Sequence, residues 1–281
     1  MKVLVTGATG FIGQHIIPLL LARGDDITAV ARSVSKAKEF AWSDKVRFVF
    51  CDIYTDFMFE DIFDNHDILI HLAWSGLPNY SSLYHFEKNL PQEYVFIKKM
   101  VDQGVRNVLV VGTCFEYGMQ CGQLSENLLT QPSNPYGYAK DALRQQLQFL
   151  QSTAHFNLTW TRLFYLYGEG QSENSLYTSL KASVQRGDKV FNLSGGEQLR
   201  DFQTVENVAE HIIQLALAEQ NIGVINVCSG EPISVRKLVE QWVIENKWEI
   251  VLNFGYYPYS NYEPMAFWGG RERLNSVLAQ L

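Results

Sequence analysis

Chemistry in this 281-residue chain is sought first among residue pairs whose spacing lets them act together. Tyr136 and Lys140 stand four apart in Pro135-Tyr136-Gly137-Tyr138-Ala139-Lys140, so on a helix they share one face, one turn above the other. An ammonium beside a phenol favours the phenolate and draws the phenol pKa down from about 10, toward the range where a tyrosine exchanges protons at neutral pH. The spacing alone carries little, because Tyr84/Lys88, Tyr94/Lys98 and Tyr177/Lys181 share it. A third group singles out the first pair. Thr113 closes an apolar run, Val105 to Val111 and then Gly112, and a Pro/Asn/Ser-rich loop, Gln131 to Pro135, leads into the Tyr136 helix. A hydroxyl at a strand end can bond a substrate carbonyl while a tyrosine delivers a proton, so Thr113, Tyr136 and Lys140 would form one acid system.

These side chains need elements that bring them together. Val3 to Val5 is wholly apolar, as expected of a parallel strand buried on both faces. Thr6-Gly7-Ala8-Thr9-Gly10-Phe11-Ile12-Gly13 follows, with glycines three apart, and a helical pattern runs on to about Arg23 and Gly24. Strand, glycine turn and helix in this order form the context of a dinucleotide fingerprint: the backbone can approach a pyrophosphate, and the helix N-terminus supplies amide donors. Gly7, Thr9, Gly10, Phe11, Ile12 and Gly13 are therefore candidate cofactor residues. A second strand, Ile27 to Ala31, ends in Arg32-Ser33. An acidic residue at that point binds the ribose 2'-hydroxyl of NAD, whereas an arginine accommodates the 2'-phosphate of NADP. Asp25 and Asp26 come too early, so NADP(H) is expected ahead of NAD(H).

Val46 to Cys51 and Asp67 to Ala73 read as further strands, whose ends place Asp52, Ile53, His71, Leu72 and Ala73 along the cofactor crevice. Trp74 to Ser82 reads as a loop over the site and Phe86 to Gln103 as a helix. The alternation of strands and helices predicts an α/β fold, a Rossmann-type doubly wound parallel sheet.

Composition bounds the function classes. A formal charge of −7 and the lack of any Lys/Arg run argue against a nucleic-acid partner. Cys51, Cys114, Cys121 and Cys228 have no metal-ligand spacing, so no metal is expected. No stretch is apolar enough to span a bilayer and the chain opens directly on a strand, so a cytoplasmic protein without a membrane partner is expected.

Gly7/Gly10/Gly13, His71-Leu72-Ala73, Thr113 with Tyr117-Gly118 after it, and Tyr136-x-x-x-Lys140 resemble the extended short-chain dehydrogenase/reductases that act on nucleotide-sugars. The resemblance covers essentially the whole chain. It implies Thr113, Tyr136 and Lys140 as catalytic triad, with Tyr136 and Lys140 also touching the cofactor. It implies Thr113, Tyr165 and Arg200 at the substrate: Tyr165 stands where many relatives carry Asn, and the Arg200-Asp201-Phe202 segment is similar to one whose arginine holds the pyrophosphate. A second phosphate-binding arginine would have to be Arg271 or Arg273. The organisation implied is a dinucleotide-binding domain, 1–165 with about 200–228, and a smaller interleaved C-terminal substrate-binding lobe, 166–199 and 229–281. Relatives pair as homodimers through two helices, here Phe86 to Gln103 and Gly137 to Gln151.

Among such proteins the chain is most similar to NADPH-dependent reductases of nucleotide-linked 4-keto-6-deoxyhexoses, in deoxysugar biosynthesis as for a lipopolysaccharide O-antigen. An NAD-dependent epimerase is the alternative, and a non-catalytic NADP-binding regulatory module a further one. A 4,6-dehydratase of this family would carry Asp-Glu after the strand-end hydroxyl, where Cys114-Phe115 stand. Relatives that also invert C3 and C5 place a cysteine two residues beyond that hydroxyl. Phe115 occupies that position, and a strand-like continuation turns Cys114 to the other face.

Overall fold

The computed structural model describes residues 1–54, 65–260 and 262–281. Seven strands form the main sheet: β1 (Lys2–Thr6), β2 (Asp26–Ala31), β3 (Arg47–Phe50), β4 (Ile68–His71), β5 (Asn107–Thr113), β6 (Asn157–Leu163) and β7 (Gly223–Val227). Every pairing is parallel and the spatial order is 3-2-1-4-5-6-7. The order reverses between β1 and β4, so the loops leaving these two strands diverge and open a crevice at their carboxyl ends.

The strands are apolar on both faces because both faces are covered. Val3 and Val5 belong to one core and Leu4 to the other; Ile68 and Ile70 split from Leu69 in the same way, following the period of two. One face is covered by α1 (Gly13–Arg23) with Ile16, Ile17 and Leu20, together with the helix Val205–Ala216. The other takes α2 (Leu90–Asp102), through Phe96, Ile97 and Met100, and α3 (Pro135–Leu150), through Leu143 and Leu147. Each of these large apolar side chains contributes roughly 1.5–3 kcal/mol on burial. Helix α2 starts later than its apolar pattern implies, because a π turn, His85–Asn89, precedes it and sends His85 inward.

A further apolar core, away from the main sheet, gathers Leu180, Leu193, Val235, Leu238, Val239 and Trp242. Around it lie the helices Leu176–Arg186 and Val235–Glu245, and a three-stranded sheet of Tyr165–Tyr167, Leu199–Thr204 and Pro232–Ser234. Those strands are short and mostly half-buried, so they carry little periodic signal in the sequence.

Candidate active site

Thr113 is the last residue of β5, and the chain does not continue as a strand beyond it. A 3-10 turn, Cys114–Tyr117, begins at once and Thr113 caps it: its Oγ1 accepts from the Phe115 N–H at 3.3 Å, while the Glu116 carboxylate accepts the Thr113 N–H at 2.9 Å. Glu116 is fully buried and also accepts from Trp160 Nε1 at 2.9 Å and Arg162 Nε at 2.7 Å, both on the neighbouring strand β6. The strand end that carries Thr113 is thus tied by a charge-assisted network in place of solvent.

Tyr136 enters from the first turn of α3. Asn134 caps that helix, accepting the Gly137 N–H at 2.8 Å, Pro135 occupies the first helical position, and the Tyr136 N–H donates to the Tyr80 carbonyl at 3.2 Å. The phenol ring sits among Trp74, Tyr80, His85 and Phe115, with ring centroids 5.3–6.3 Å away. Burial, reinforced by Tyr80, holds the Tyr136 pKa well above the usual phenol range; its side-chain hydrogen bond with Thr113 works in the opposite direction.

This corrects the expectation of a lysine-lowered phenol. The Lys140 ammonium donates to the Val111 carbonyl at 2.8 Å and lies 3.9 Å from the centre of the Trp74 ring. Helical spacing aligns the two Cβ atoms, but the long lysine side chain ends on β5 and on Trp74. Burial lowers the Lys140 pKa to about 8, against the pull of Glu93 and Glu116. Two of the three competing lysines are engaged elsewhere: Lys98 with Asp102 at 2.5 Å, Lys181 with Glu169 at 2.9 Å. Trp74 is itself anchored, its Nε1 donating to His85 Nδ1 at 3.1 Å, and His85 Nε2 faces the Asn79 carbonyl at 2.7 Å.

Two clefts lie near this centre, one reaching it through Trp74 and the other through Tyr80, while Thr113, Tyr136 and Lys140 themselves line neither. The first is lined by Gly7, Thr9, Gly10, Arg32, Ile53, Leu72 and Ala73, as expected from the sequence, and also by Ser33, Lys36, Tyr54 and Trp74. Gly7 has φ +68°, and a Cβ there would stand 2.9 Å from the Ala73 amide nitrogen; one on Gly13 would stand 2.4 Å from the Gly7 carbonyl oxygen. The turn is therefore drawn tight against β4 and α1, leaving backbone exposed to the cleft. Ile12 caps α1, Phe11 packs edge-on to His15, and Gly13 serves that close packing; none of the three is in the cleft lining.

Two further expectations are corrected here. Asp52 does not line the cleft: its carboxylate turns back to accept the Tyr54 N–H at 3.1 Å, as an aspartate in a turn does. His71 is no wall residue either. It is fully buried, with Nδ1 2.9 Å from Thr6 Oγ1 and Nε2 bonded to the buried Glu93. Glu93 also accepts from the Tyr54 hydroxyl at 2.5 Å, so a polar chain runs beneath the cleft from Thr6 to Tyr54.

The second cleft, of about 670 Å³, is of ligand size and rich in aromatic residues, including Tyr80, Tyr165, Tyr257, Tyr259 and Tyr262. Arg200 and Tyr165 both reach it, but Arg200 does not present an open fork. Its Nε donates to Glu263 at 3.0 Å, Nη2 lies 2.9 Å from the same carboxylate, and Nη1 donates to the Leu199 and Met265 carbonyls. Tyr165 donates to the same Glu263. Neither Arg271 nor Arg273 lines this cleft: Arg271 donates to the Cys228 carbonyl, and Arg273 to the Ile222 carbonyl at 2.6 Å. Asp201 takes the backbone N–H groups of Ser229, Gly230 and Gly269, which makes it a brace for the lobe.

Glu116, Tyr54, Trp74, Tyr80 and Glu263 escaped the sequence reading. Glu116 lies inside the quoted Thr113–Gly118 segment, but its partners Trp160 and Arg162 are more than forty residues on. Among the described residues no group of three or more His, Cys, Asp or Glu could hold a metal ion, and no helix is long and apolar enough to cross a membrane.

A glycine turn of this shape at the switch point of a 3-2-1-4-5-6-7 parallel sheet defines a dinucleotide-binding α/β protein. Comparison with known proteins narrows the class: the chain belongs to the NAD dependent epimerase/dehydratase family, whose model matches residues 3–228. Its fold is that of the extended short-chain dehydrogenase/reductases. It is 30% identical over 272 residues, 96% of this chain and 100% of the relative, to dTDP-6-deoxy-L-talose 4-dehydrogenase (NAD(+)) of Aggregatibacter actinomycetemcomitans. It is 26% identical to GDP-6-deoxy-D-talose 4-dehydrogenase of the same organism, over 85% of this chain and 78% of that one. The solved complex of MoeE5 with UDP-glucuronic acid and NAD superposes with a TM-score of 0.86 at 26% identity, covering 99% of this chain and 93% of that chain.

Proposed function

We propose that this protein reduces the C4 ketone of a nucleotide-linked 4-keto-6-deoxyhexose with NADPH, as a step of deoxysugar biosynthesis. The observation that carries the reading is a buried Tyr136 phenol that holds its proton, packed against Trp74 of the glycine-lined cleft and Tyr80 of the aromatic cleft. A phenol that holds its proton is a donor, the form that reduction of a ketone requires. In this reading Thr113 donates its hydroxyl to the ketone oxygen and Tyr136 releases its proton to that oxygen. Lys140, one turn further along α3, keeps a proton that leaves near pH 8. A bound NADPH supplies the hydride. Gly7, Gly10, Leu72 and Ala73 would hold the dinucleotide, and Arg32, Ser33 and Lys36 would hold its 2'-phosphate.

The cofactor preference rests on that last group. Two cations and a hydroxyl line the end of the first cleft, and among its described lining residues there is no carboxylate to bind a free ribose 2'-hydroxyl. The similar 4-dehydrogenase and the MoeE5 complex are named with NAD, so a direct comparison of NADPH with NADH tests the point. Oxidoreduction at C4 is supported by the names of the two talose 4-dehydrogenases, since dehydrogenation of an alcohol is ketone reduction run backwards. We assign 1–165 with about 200–228 to the dinucleotide-binding domain, and 166–199 with 229–281 to the substrate lobe. We also propose a homodimer through α2 and α3, which expose Val95, Tyr138 and Phe149; light scattering on the purified protein tests it.

The deciding assay mixes the protein with NADPH and dTDP-, GDP-, UDP- and CDP-linked 4-keto-6-deoxyhexoses. The expected outcome is loss of nicotinamide absorbance with one of them and a product bearing a C4 hydroxyl. Inversion of a 4-hydroxy sugar without net cofactor consumption would instead make the protein an epimerase, and no turnover of any kind a binding module.

A further inference from the structure

Among the described residues that line the second cleft, only Arg200 and Glu263 carry charge. They are buried against each other, with side-chain exposures of 6% and 12%. Three of the five guanidinium N–H groups are hydrogen-bonded inside the protein, one to Glu263 and two to the Leu199 and Met265 carbonyls, and Nη2 lies 2.9 Å from the same Glu263 oxygen. The carboxylate is used unevenly. Arg200 Nε and Nη2 and the Tyr165 hydroxyl all converge on Oε2, and among the described residues none donates to Oε1. A carboxylate oxygen of a cleft-lining residue is thus left able to accept. Glu197 and Arg236 add no net charge nearby, being paired with each other at 3.6 Å and more exposed.

The position of Glu263 along the cleft follows from its neighbour. The Tyr262 ring lies 6.1 Å from Tyr80 and 6.3 Å from Phe115, and the Tyr80 ring lies 5.6 Å from Tyr136. Glu263 therefore belongs to the end of the cleft nearest the proton donor, where the sugar of a nucleotide-sugar has to lie. A hydroxyl brought there can donate to Oε1. A carboxylate cannot, and it meets a like charge whose compensating arginine is already committed.

We propose that Glu263 determines sugar specificity in this cleft: by neutralising Arg200 and presenting Oε1 to a hydroxyl, it admits nucleotide-sugars with an uncharged hexose and rejects those whose hexose carries a carboxylate. The proposal rests on the nucleotide-sugar reading above and adds the charge of the sugar to it.

Titration calorimetry on the protein saturated with NADPH tests both, using ligands that carry no 4-ketone: UDP-glucose against UDP-glucuronate, and the corresponding dTDP, GDP and CDP pairs. For whichever nucleotide binds, the glucose form is expected to bind at least about tenfold more tightly than the glucuronate form, from one like-charge contact in a partly buried site. Glu263→Gln frees Arg200 and should bring the two within about threefold of each other. Equal affinities in the unaltered protein, or an undiminished preference in a Glu263→Gln protein that unfolds at the normal temperature and binds NADPH normally, would overturn the proposal. Where the variant fails to fold, the comparison in the unaltered protein decides alone. Binding of NADPH with no binding of any of these sugar nucleotides would defeat the nucleotide-sugar reading itself, and this proposal with it.

Discussion

In the proposed reaction Tyr136 is the proton donor, and burial keeps its phenol protonated. Its phenol is enclosed by four aromatic or heteroaromatic rings, and the nearby lysine is spent on a backbone carbonyl and an indole face, so the proton stays on until a substrate oxygen can take it. Tyr136→Phe keeps the ring and the enclosure and removes only the acid. Turnover should fall on the order of 10²–10⁴-fold, with NADPH affinity held within a few-fold; full activity in a steady-state assay would return Tyr136 to a packing role. At the other end of the first cleft Arg32 is exposed at the rim, beside Ser33 and Lys36. Arg32→Ala should weaken NADPH roughly tenfold or more while leaving NADH nearly unchanged, because only NADPH offers a 2'-phosphate to a charge-assisted hydrogen bond. Equal losses in fluorescence titrations of the two cofactors would rule that role out.

At the scale of elements, the centre depends on how β5 ends and α3 begins. The strand stops at Thr113 in a capped 3-10 turn that carries Phe115 into the rings around Tyr136, while Cys114 joins Tyr117, Leu124, Phe164 and Phe267. Burial, with Glu263 adding to it, pushes the Cys114 thiol well above its usual pKa. In the proposed reaction neither residue would act as a base at the carbons next to the ketone, so product formed in D2O should show no deuterium at C3 or C5 by NMR beyond a no-enzyme control. From the sequence the same expectation rests on a continuing strand; the chain instead turns at once, and the expectation now rests on the burial of Cys114 and Phe115. The same turn sets the place of α3. A Cβ on Gly137 would stand 2.6 Å from the Phe115 carbonyl oxygen, a backbone atom with little freedom to withdraw. Gly137→Ala should cost about 1–3 kcal/mol in urea denaturation and lower turnover as Tyr136 moves off Thr113. A variant with normal stability and rate would mean that helix and turn are not held in register by this contact.

The whole molecule bears the cost of keeping Lys140 charged. This side chain is 2% exposed and its folded pKa is about 8, against 10.5 when solvated. Below pH 8 both folded and unfolded chains hold the proton and the burial cost is present in full. Between about pH 8 and 10.5 the unfolded chain still binds a proton that the folded chain has lost, so stability rises with pH in that window. Relative to Lys140→Met, which has nothing to titrate there, the protein should gain about 3 kcal/mol across it in denaturation experiments. A flat difference would show that Lys140 titrates normally.

Much of this arrangement was legible in the sequence because it is local. The glycine turn after β1 is written in consecutive residues, and apolar periodicity marks strands and helices that cover both faces of one sheet. Thr113, Tyr136 and Lys140 stand out in the sequence because one ends a strand and the others share a helix, and the structure places them there. What the helix rule supplies is the direction of Cβ, and the tertiary structure decided where each long side chain ends: Lys140 on Val111 and Trp74, Arg200 on a glutamate 63 positions away, His71 on Glu93. The strands of the smaller lobe were missed for a related reason, since three-residue, half-buried segments carry no period of their own and exist only through their partners. Local spacing could name Tyr136 and Thr113 as the candidate acid and its hydroxyl partner. Their protonation, and the charge offered to a substrate, were set by burial and by pairings between residues far apart in the chain.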